Sequence, residues 1–538
     1  MAVSPVLAVA VPSCLLVVYW LSQIGKRPAD YPPGPPTVPV LGNIHLMPDV
    51  DIHGQFRKWA MKYGPIYSLM LGTKSMIVLS GPEAIKDLLD KRSAYYSSRP
   101  EMYLARLLSG DSRMVLMEYG EMWRTTRRIV HNSLNIKATK TYITYQDLEN
   151  KQLLMDMLER PEIFKSHIRR YTSSLATQIV FGFRTPNHDD PKLIRLIEGF
   201  EEFCRISVAP IANALDCFPF MRYLPDFMIP MKGYAKKLHH EELKLYMEHY
   251  DSTREKIKNG TAKPCFTVDL VRAQEEEGFS DAIACYTSGT LLEAGMDTTA
   301  STLTGFVRAM LCFPEVAKTA QAELDRVCGD RLPELDDLPN LPYIRGCMKE
   351  TLRTMPPVIL GIPHANIRDD EYLGYKIPKG TQILCNVWTL NNDPERYPNP
   401  EIFDPTRWAS DEQTSAEAVN NPDVSKRDHF SFGAGRRVCP GMHIADRSIF
   451  FAISRLLWAF DFHRPIDKAT GKEIVPGFND NTDGLASFPK PFEADIRPRD
   501  EFKSEKIREE WAKMRELLDD DLQWNKLPEG LVWKDYMN

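Results

Sequence analysis

Phe430-Ser431-Phe432-Gly433-Ala434-Gly435-Arg436-Arg437-Val438-Cys439-Pro440-Gly441 is the stretch that decides the fold of this chain. It holds one cysteine in a glycine-rich loop. The residues that follow carry apolar side chains at Ile449, Ile453, Leu456, Leu457 and Phe460, a helical spacing. The loop is therefore expected to open directly into a helix. Cys439 then sits at a helix N-terminus, where unpaired N–H groups and the positive dipole end favour a thiolate. Pro440 suits the first helical turn, whose N–H groups lack partners anyway. Arg437 adds positive charge two residues away. Gly435 and Gly441 let the backbone approach something large and flat. A thiolate held this way is a ligand for haem iron. The plainer alternative is a buried loop cysteine with no chemistry.

Composition narrows the classes further. The chain has 538 residues, enough for two or three domains or one large catalytic body. A net charge of −6 gives nucleic-acid binding no support. Ten cysteines at irregular spacing, with no C-x-x-C pair, argue against a disulfide framework and a zinc site. Residues 1–24 carry no charged side chain, and Lys26 and Arg27 follow at once. That length can just span a bilayer. The charges come after the apolar run, which favours an anchor over a cleaved leader. The positive-inside rule then places the rest of the chain in the cytosol and leaves the sequon Asn259-Gly260-Thr261 unused. Tyr31-Pro32-Pro33-Gly34-Pro35-Pro36 reads as a stiff, extended spacer closed by Gly42-Asn43.

Residues 64–80 predict a β-hairpin, and helical patterns dominate from about 82 to 355. Strands return over 358–390, with turns at Gly374-Tyr375 and Pro378-Lys379-Gly380. The fold class is mostly α with a small β subdomain. Beyond Arg499, the spacing of Ile507, Trp511, Met514 and Leu518 predicts an amphipathic helix docked on the body. Asn213 to Ile229 is apolar and broken by prolines, either a buried turn or an exposed patch beside the anchor. Residues 281–313 contain no proline and predict a helix of roughly 50 Å. Its middle crowds the poor helix formers Gly295, Asp297, Thr298, Thr299 and Thr302. Their hydroxyls can bond the i−4 carbonyl and loosen the ladder. The stretch is either a polar face turned to solvent or a locally opened helix with room for a small ligand.

Taken together, these motifs resemble those of the cytochrome P450 family. Phe432, Gly435, Arg437, Cys439 and Gly441 match its haem-binding signature F-x-x-G-x-R-x-C-x-G. Ala294-Gly295-Met296-Asp297-Thr298-Thr299 matches [AG]-G-x-[DE]-T-[TS], and Trp123 to Arg127 matches W-x-x-x-R. Glu350 and Arg353 supply E-x-x-R, and Phe403-Asp404-Pro405-Thr406-Arg407-Trp408 matches F-x-P-x-R-[FW]. The resemblance runs in order over about residues 31–497. It implies the P450 fold preceded by one N-terminal transmembrane helix. The implied parts are an anchor at 1–24, a proline-rich hinge at 25–43, a catalytic domain at 44–500 and a charged amphipathic extension at 501–538.

The resemblance also implies site roles. Cys439 is the axial thiolate of haem b, and Phe432, Gly435 and Gly441 shape its loop. Trp123, Arg127, His364 and Arg437 hold the haem propionates. Asp297 and Thr298 form the acid–alcohol pair that delivers protons above the haem. Glu350, Arg353 and Arg407 are structural and fix the segment leading to the cysteine loop. The substrate pocket draws on Ala294 and on residues 358–362, with Val358, Ile359 and Leu360 as its apolar wall, and on the 100–120 loop, the 205–225 segment and residues 481–486. Arg124, Arg128, Lys426 and Arg427 form a basic face that steers an acidic partner.

The function implied is that of a monooxygenase in the endoplasmic reticulum membrane. It takes NADPH electrons from NADPH–cytochrome P450 reductase, with cytochrome b5 as a second donor, and oxidises an apolar small metabolite, aromatic ones included. His364-Ala365-Asn366 and Asp369-Asp370-Glu371-Tyr372 look like fungal microsomal members that tailor secondary metabolites. Oxidative coupling, ring closure or desaturation without oxygen insertion stays open, since the same centre serves them. An oxygen-independent rearrangement fits less well, because such relatives usually depart from the acid–alcohol pair that is intact here. A haem sensor or carrier would need no proton relay.

Overall fold

The proline-free run forms a single helix, Asp281–Cys312, capped by Ser280 Oγ, which accepts from Ile283 N. In the computed structural model the backbone of residues 5–525 and the side chains of residues 12–525 are described. Along the long helix packs Phe164–Phe181, and around it stand Ile143–Glu159, Pro342–Thr354 and Met442–Ala459. Leu303, Phe306 and Met310 share one apolar core with Leu352, Ile453 and Leu457. The long helix is continuous through Thr298. The expected local opening is absent there, because Thr298 Oγ1 bonds Ala294 O at 2.7 Å without displacing the ladder.

The predicted hairpin is present as β1 (Ile66–Leu71) and β2 (Lys74–Leu79), with Leu71 opposite Lys74. The later strands are β3 (His364–Ala365), β4 (Asp370–Tyr372), β5 (Tyr375–Ile377) and β6 (Gln382–Cys385). One sheet runs in the order β1-β2-β6-β3, and β4 pairs with β5 as a separate ribbon. Its turn is Leu373-Gly374, one residue earlier than expected; both have positive φ, as a tight hairpin turn demands.

The cysteine helix begins later than the sequence suggests. Its N-cap is Gly441 and its first residue Met442, so Cys439 and Pro440 precede the helix, after a 3-10 turn at Gly435–Arg437. The proline-rich run is no free spacer. Ser68 N donates to Pro33 O at 2.8 Å, and Asn43 Nδ2 donates to Pro36 O at 2.8 Å. Arg27, expected as a flanking charge, is folded in as well, with Nη2 2.9 Å from Ser68 O. The segment over 213–229 is not a buried turn. It runs through Pro210–Cys217 and Pro219–Tyr223 and leaves Tyr223 and Phe227 at 91% and 83% exposure. The predicted C-terminal helix is Glu501–Arg515, packed on Ile143–Glu159 with Ile507 buried.

A helix does form at Pro5–Gln23. Among the described residues, however, no helix is long and apolar enough to cross a membrane. The side chains of residues 1–11 lie outside the described residues. The anchor expected at 1–24 falls partly on those residues, and that absence applies to the rest. The expectation of a spanning helix is not met there.

Candidate functional site

A cavity of about 330 Å³ lies between the cysteine loop and the middle of the long helix. The loop is closed on itself by Cys439 N, which donates to Phe432 O at 2.9 Å. Phe432, Gly433, Cys439 and Gly441 all face the cavity. A Cβ at Gly433 or Gly441 would meet nothing within 4 Å, so these two glycines border open space. Gly435 has a different task from the one expected. It does not line the cavity; a Cβ there would fall 1.9 Å from Leu89 O, and its φ is +63°. Gly435 N also donates to Asp90 Oδ1 at 2.8 Å. It is glycine so that the loop can seat against the π-turn Lys86–Lys91.

Burial pushes the Cys439 thiol up, while the Gly441 N–H and the Arg127 charge pull it down. Burial outweighs them, so the surroundings alone hold the thiol above its ordinary value. A metal ion removes the proton of a coordinating thiol outright.

Positive charge gathers on one flank. Arg437 lines the cavity and spends its guanidinium on the carbonyls of Ser97 (2.9 Å), Met114 (3.3 Å) and Met117 (2.6 Å). Arg99 also lines it and bonds the carbonyls of Val115, Ile362 and Pro363. Burial, with like charge from its neighbours second, lowers Arg437 to about 8; burial lowers Arg99 to about 10. Neither has a carboxylate partner among the described residues. His364 is buried on β3, and its Nδ1 donates to Tyr96 O at 2.8 Å. Burial, with Arg99 beside it, holds that ring neutral. Its expected cationic role therefore needs a carboxylate next to Nε2.

Trp123 and Arg127 stand behind this wall rather than on it. The Trp123 ring lies under the Arg437 guanidinium, 4.1 Å from the ring centre, and Arg127 Nη2 bonds Val438 O beside the cysteine. Arg99 went unread in the sequence, because nothing in Ser97-Ser98-Arg99-Pro100 separates it from any other loop arginine.

On the long helix, Ala294, Gly295, Thr298 and Thr302 face the cavity. Asp297 faces away from it. It is buried, with Oδ1 3.5 Å from Arg169 Nη2, which also holds Glu201 at 2.7 Å. Burial outweighs Arg169 and pushes the Asp297 carboxyl up to about 6. Thr298 borders the cavity while its neighbour connects, through Arg169 and the half-exposed Glu201, to solvent.

Glu350, Arg353 and Arg407 come together in one cluster. Glu350 holds Arg353 by two bonds of 2.6 and 2.9 Å and Arg407 Nε at 3.3 Å. The network is larger than the motifs suggest. Trp408 Nε1 donates to Glu350 at 2.9 Å, and Asn391 links Arg353 O to Ser431 Oγ and Phe430 N. Thus the buried ion pair reaches the first residues of the cysteine loop.

Several pocket expectations fail. Val358 lines the cavity, but Ile359 and Leu360 do not: Ile359 O is tied to Trp388 N, and Leu360 packs under the sheet. Gly361 and Ile362, at the end of the same stretch, do line it. The 205–225 segment and residues 481–486 stay outside, the latter beside Ser487, whose carbonyl accepts from Ser301 Oγ at 2.6 Å. The basic face is thinner than expected as well. Arg427 is buried against Asp90 and Arg128 is paired with Glu277, while Lys426 stands 3.9 Å from Asp423.

Residues 32–485 match the family described as Cytochrome P450. The chain is 55% identical over 523 residues to the cytochrome P450 monooxygenase virE of Hypocrea virens (strain Gv29-8 / FGSC 10586), covering 97% of this chain and 95% of that protein. It is 53% identical to the cytochrome P450 monooxygenase fogE of Aspergillus ruber (strain CBS 135680), covering 97% of each. It is 44% identical to the cytochrome P450 monooxygenase fsoB of Humicola fuscoatra, covering 98% of each.

Proposed function

The chain belongs to the cytochrome P450 family and is an oxidoreductase of monooxygenase type, and from that premise we propose that it oxidises an apolar small metabolite of a fungal secondary pathway at a haem held by Cys439. The observation that carries the haem assignment is the pairing of one thiol with two guanidinium groups, Arg99 buried and Arg437 half-buried, that face the same cavity and have only carbonyls as hydrogen-bond partners. Buried cations without carboxylates are costly. A flat group with a metal for the thiol and carboxylates for Arg99 and Arg437 fits that donor set, and Gly433 and Gly441 leave room for its face.

When bound, the haem supplies reductive activation of dioxygen, with electrons from NADPH through a reductase. Cys439 would bind the iron, and Arg99, Arg437 and His364 would hold the group by its carboxylates. Arg127 holds Val438 O, and with it the backbone beside the thiol. Thr298 places a hydroxyl at the cavity wall. Asp297, near 6 and linked to Arg169 and Glu201, moves protons from solvent toward Ala294–Thr298. Val115, Ala294, Val358 and Ile362 exclude water from the reacting side.

The membrane association proposed for the protein has its own support. Residues 15–20 of the N-terminal helix expose Leu15, Leu16, Val17, Val18, Tyr19 and Trp20. Val40 N donates to Ile24 O, Gly72 N to Leu41 O and Thr73 N to Cys217 O. The foot of that helix and the apolar segment with Tyr223 and Phe227 therefore meet at one end of the body. The same end would lie on the endoplasmic reticulum surface, with the catalytic domain in the cytosol.

The test is a mass-spectrometric comparison of metabolites from the source organism with and without this gene. A precursor should accumulate, and the missing product should be that precursor plus oxygen. A missing product that equals the precursor, or two precursors, less two hydrogens would replace oxygen insertion with coupling, cyclisation or desaturation.

A further inference from the structure

Residues 501–525 lie beyond the stretch matched to the family, yet they are wired into the body. After Glu501–Arg515 the chain turns at Leu522, whose φ is +57°, and inserts Trp524 into a buried site. The Trp524 ring lies 5.8 Å from Tyr145, and its Nε1 donates to Gln178 Oε1 at 2.7 Å. The Gln523 side chain pairs with the backbone of Arg184 as a strand would: Oε1 accepts from Arg184 N at 2.9 Å, and Nε2 donates to Arg184 O at 3.1 Å. Arg184 Nη1 donates to Leu522 O at 2.7 Å, and Arg184 Nε meets the fully buried Glu149 at 2.6 Å. A second tie is ionic. Glu510 holds Lys151 at 3.1 Å, and Lys151 holds Asp147 at 3.0 Å.

Both ties end on Ile143–Glu159, and that helix grips the cysteine helix. Asp147 binds Arg455 at 2.7 Å, and Asn150 accepts from Arg455 at 3.3 Å. Gln146 Nε2 donates to Ile444 O at 2.9 Å and to Ser448 Oγ at 2.7 Å. Ile444 and Ser448 line the cavity that Cys439 faces.

We propose that the C-terminal strap is a positioning element for the thiolate ligand, acting through Ile143–Glu159 on the register of the cysteine helix. Gln523, Trp524 and Lys151 are its positioning residues. Hydrogen-bonded buried groups of this kind specify one arrangement when complete and loosen several elements when broken. The inference rests on the reading of Cys439 as the haem ligand.

The test uses the full chain carrying Gln523→Ala with Trp524→Ala, and separately Lys151→Met and Lys151→Arg. Each protein is reduced and exposed to carbon monoxide, because thiolate-ligated and thiol-ligated haem absorb at different wavelengths. The strap variant and Lys151→Met should show a larger thiol-ligated fraction. They should also lose haem to an excess of a haem-accepting protein roughly tenfold faster or more, the usual effect of losing a supporting partner around a metal ligand. Lys151→Arg keeps both carboxylates and should match the parent. Variants that melt earlier but keep the parent's ligation ratio and haem-loss rate would overturn the proposal. Should the strap variant fail to fold, Lys151→Met still decides. A parent with no thiolate-type spectrum would instead overturn the haem reading itself.

Discussion

Asp297 shows how one residue trades stability for chemistry. Burial against a single shared arginine lifts its carboxyl from 3.8 to about 6. An acid whose folded pKa lies above its unfolded one holds its proton more tightly when folded. The folded state is therefore penalised as pH rises from about 4 to about 6, and the penalty stays constant above that. Two units correspond to about 3 kcal/mol. Asp297→Asn is expected to raise the melting temperature at pH 8 and change it little at pH 4, which calorimetry at the two pH values checks. The same variant should lower product formed per NADPH consumed, with turnover down roughly 100-fold, the usual worth of a positioned acid. The motif around Asp297 was legible in the sequence. That its carboxylate faces Arg169 and not the cavity was not, since Arg169 lies far away in the chain.

At the scale of elements, the cysteine loop is built by parts that the signature does not contain. Its own residues supply the thiol, the cavity-facing glycines and Arg437. Its placement comes from Asp90 and Leu89 on the π-turn and from Glu350 through Arg353 and Asn391. Gly435→Ala tests the first of these. The new Cβ would collide with a backbone oxygen at 1.9 Å and strain a residue at φ +63°, a conformation that costs about 1–2 kcal/mol by itself for an L-residue. It should give protein with sharply reduced haem content, read as the haem-to-protein absorbance ratio. Gly441→Ala should fold, because its Cβ meets no protein atom. The E-x-x-R pair and the second arginine were readable from motif order. That Trp408, the last residue of the second motif, bonds Glu350 and that Asn391 completes the network was not, because single hydrogen bonds between distant segments leave no periodic trace.

Across the whole molecule, the N-terminal helix, the docked proline run and the exposed Tyr223–Phe227 segment define one end. Removing residues 1–24 costs the Val40 N–Ile24 O bond but should change the melting temperature little, since Arg27 and Asn43 keep their bonds to β1 and to the proline run. It should move protein from the membrane pellet to the supernatant on fractionation, with part retained by the exposed apolar segment. By itself the sequence determined the family, the mostly α class, the hairpin, the long helix and the thiol at the centre, because periodicity and closely spaced motifs are local properties of a chain. Only the tertiary structure decided which residues face the cavity. It brought in Arg99, turned Asp297 outward, took Ile359 and Leu360 out of the cavity wall, and tied the C-terminal strap to the cysteine helix. Those outcomes depend on packing between segments hundreds of residues apart, where burial and hydrogen-bond satisfaction, not local pattern, set each side chain's direction.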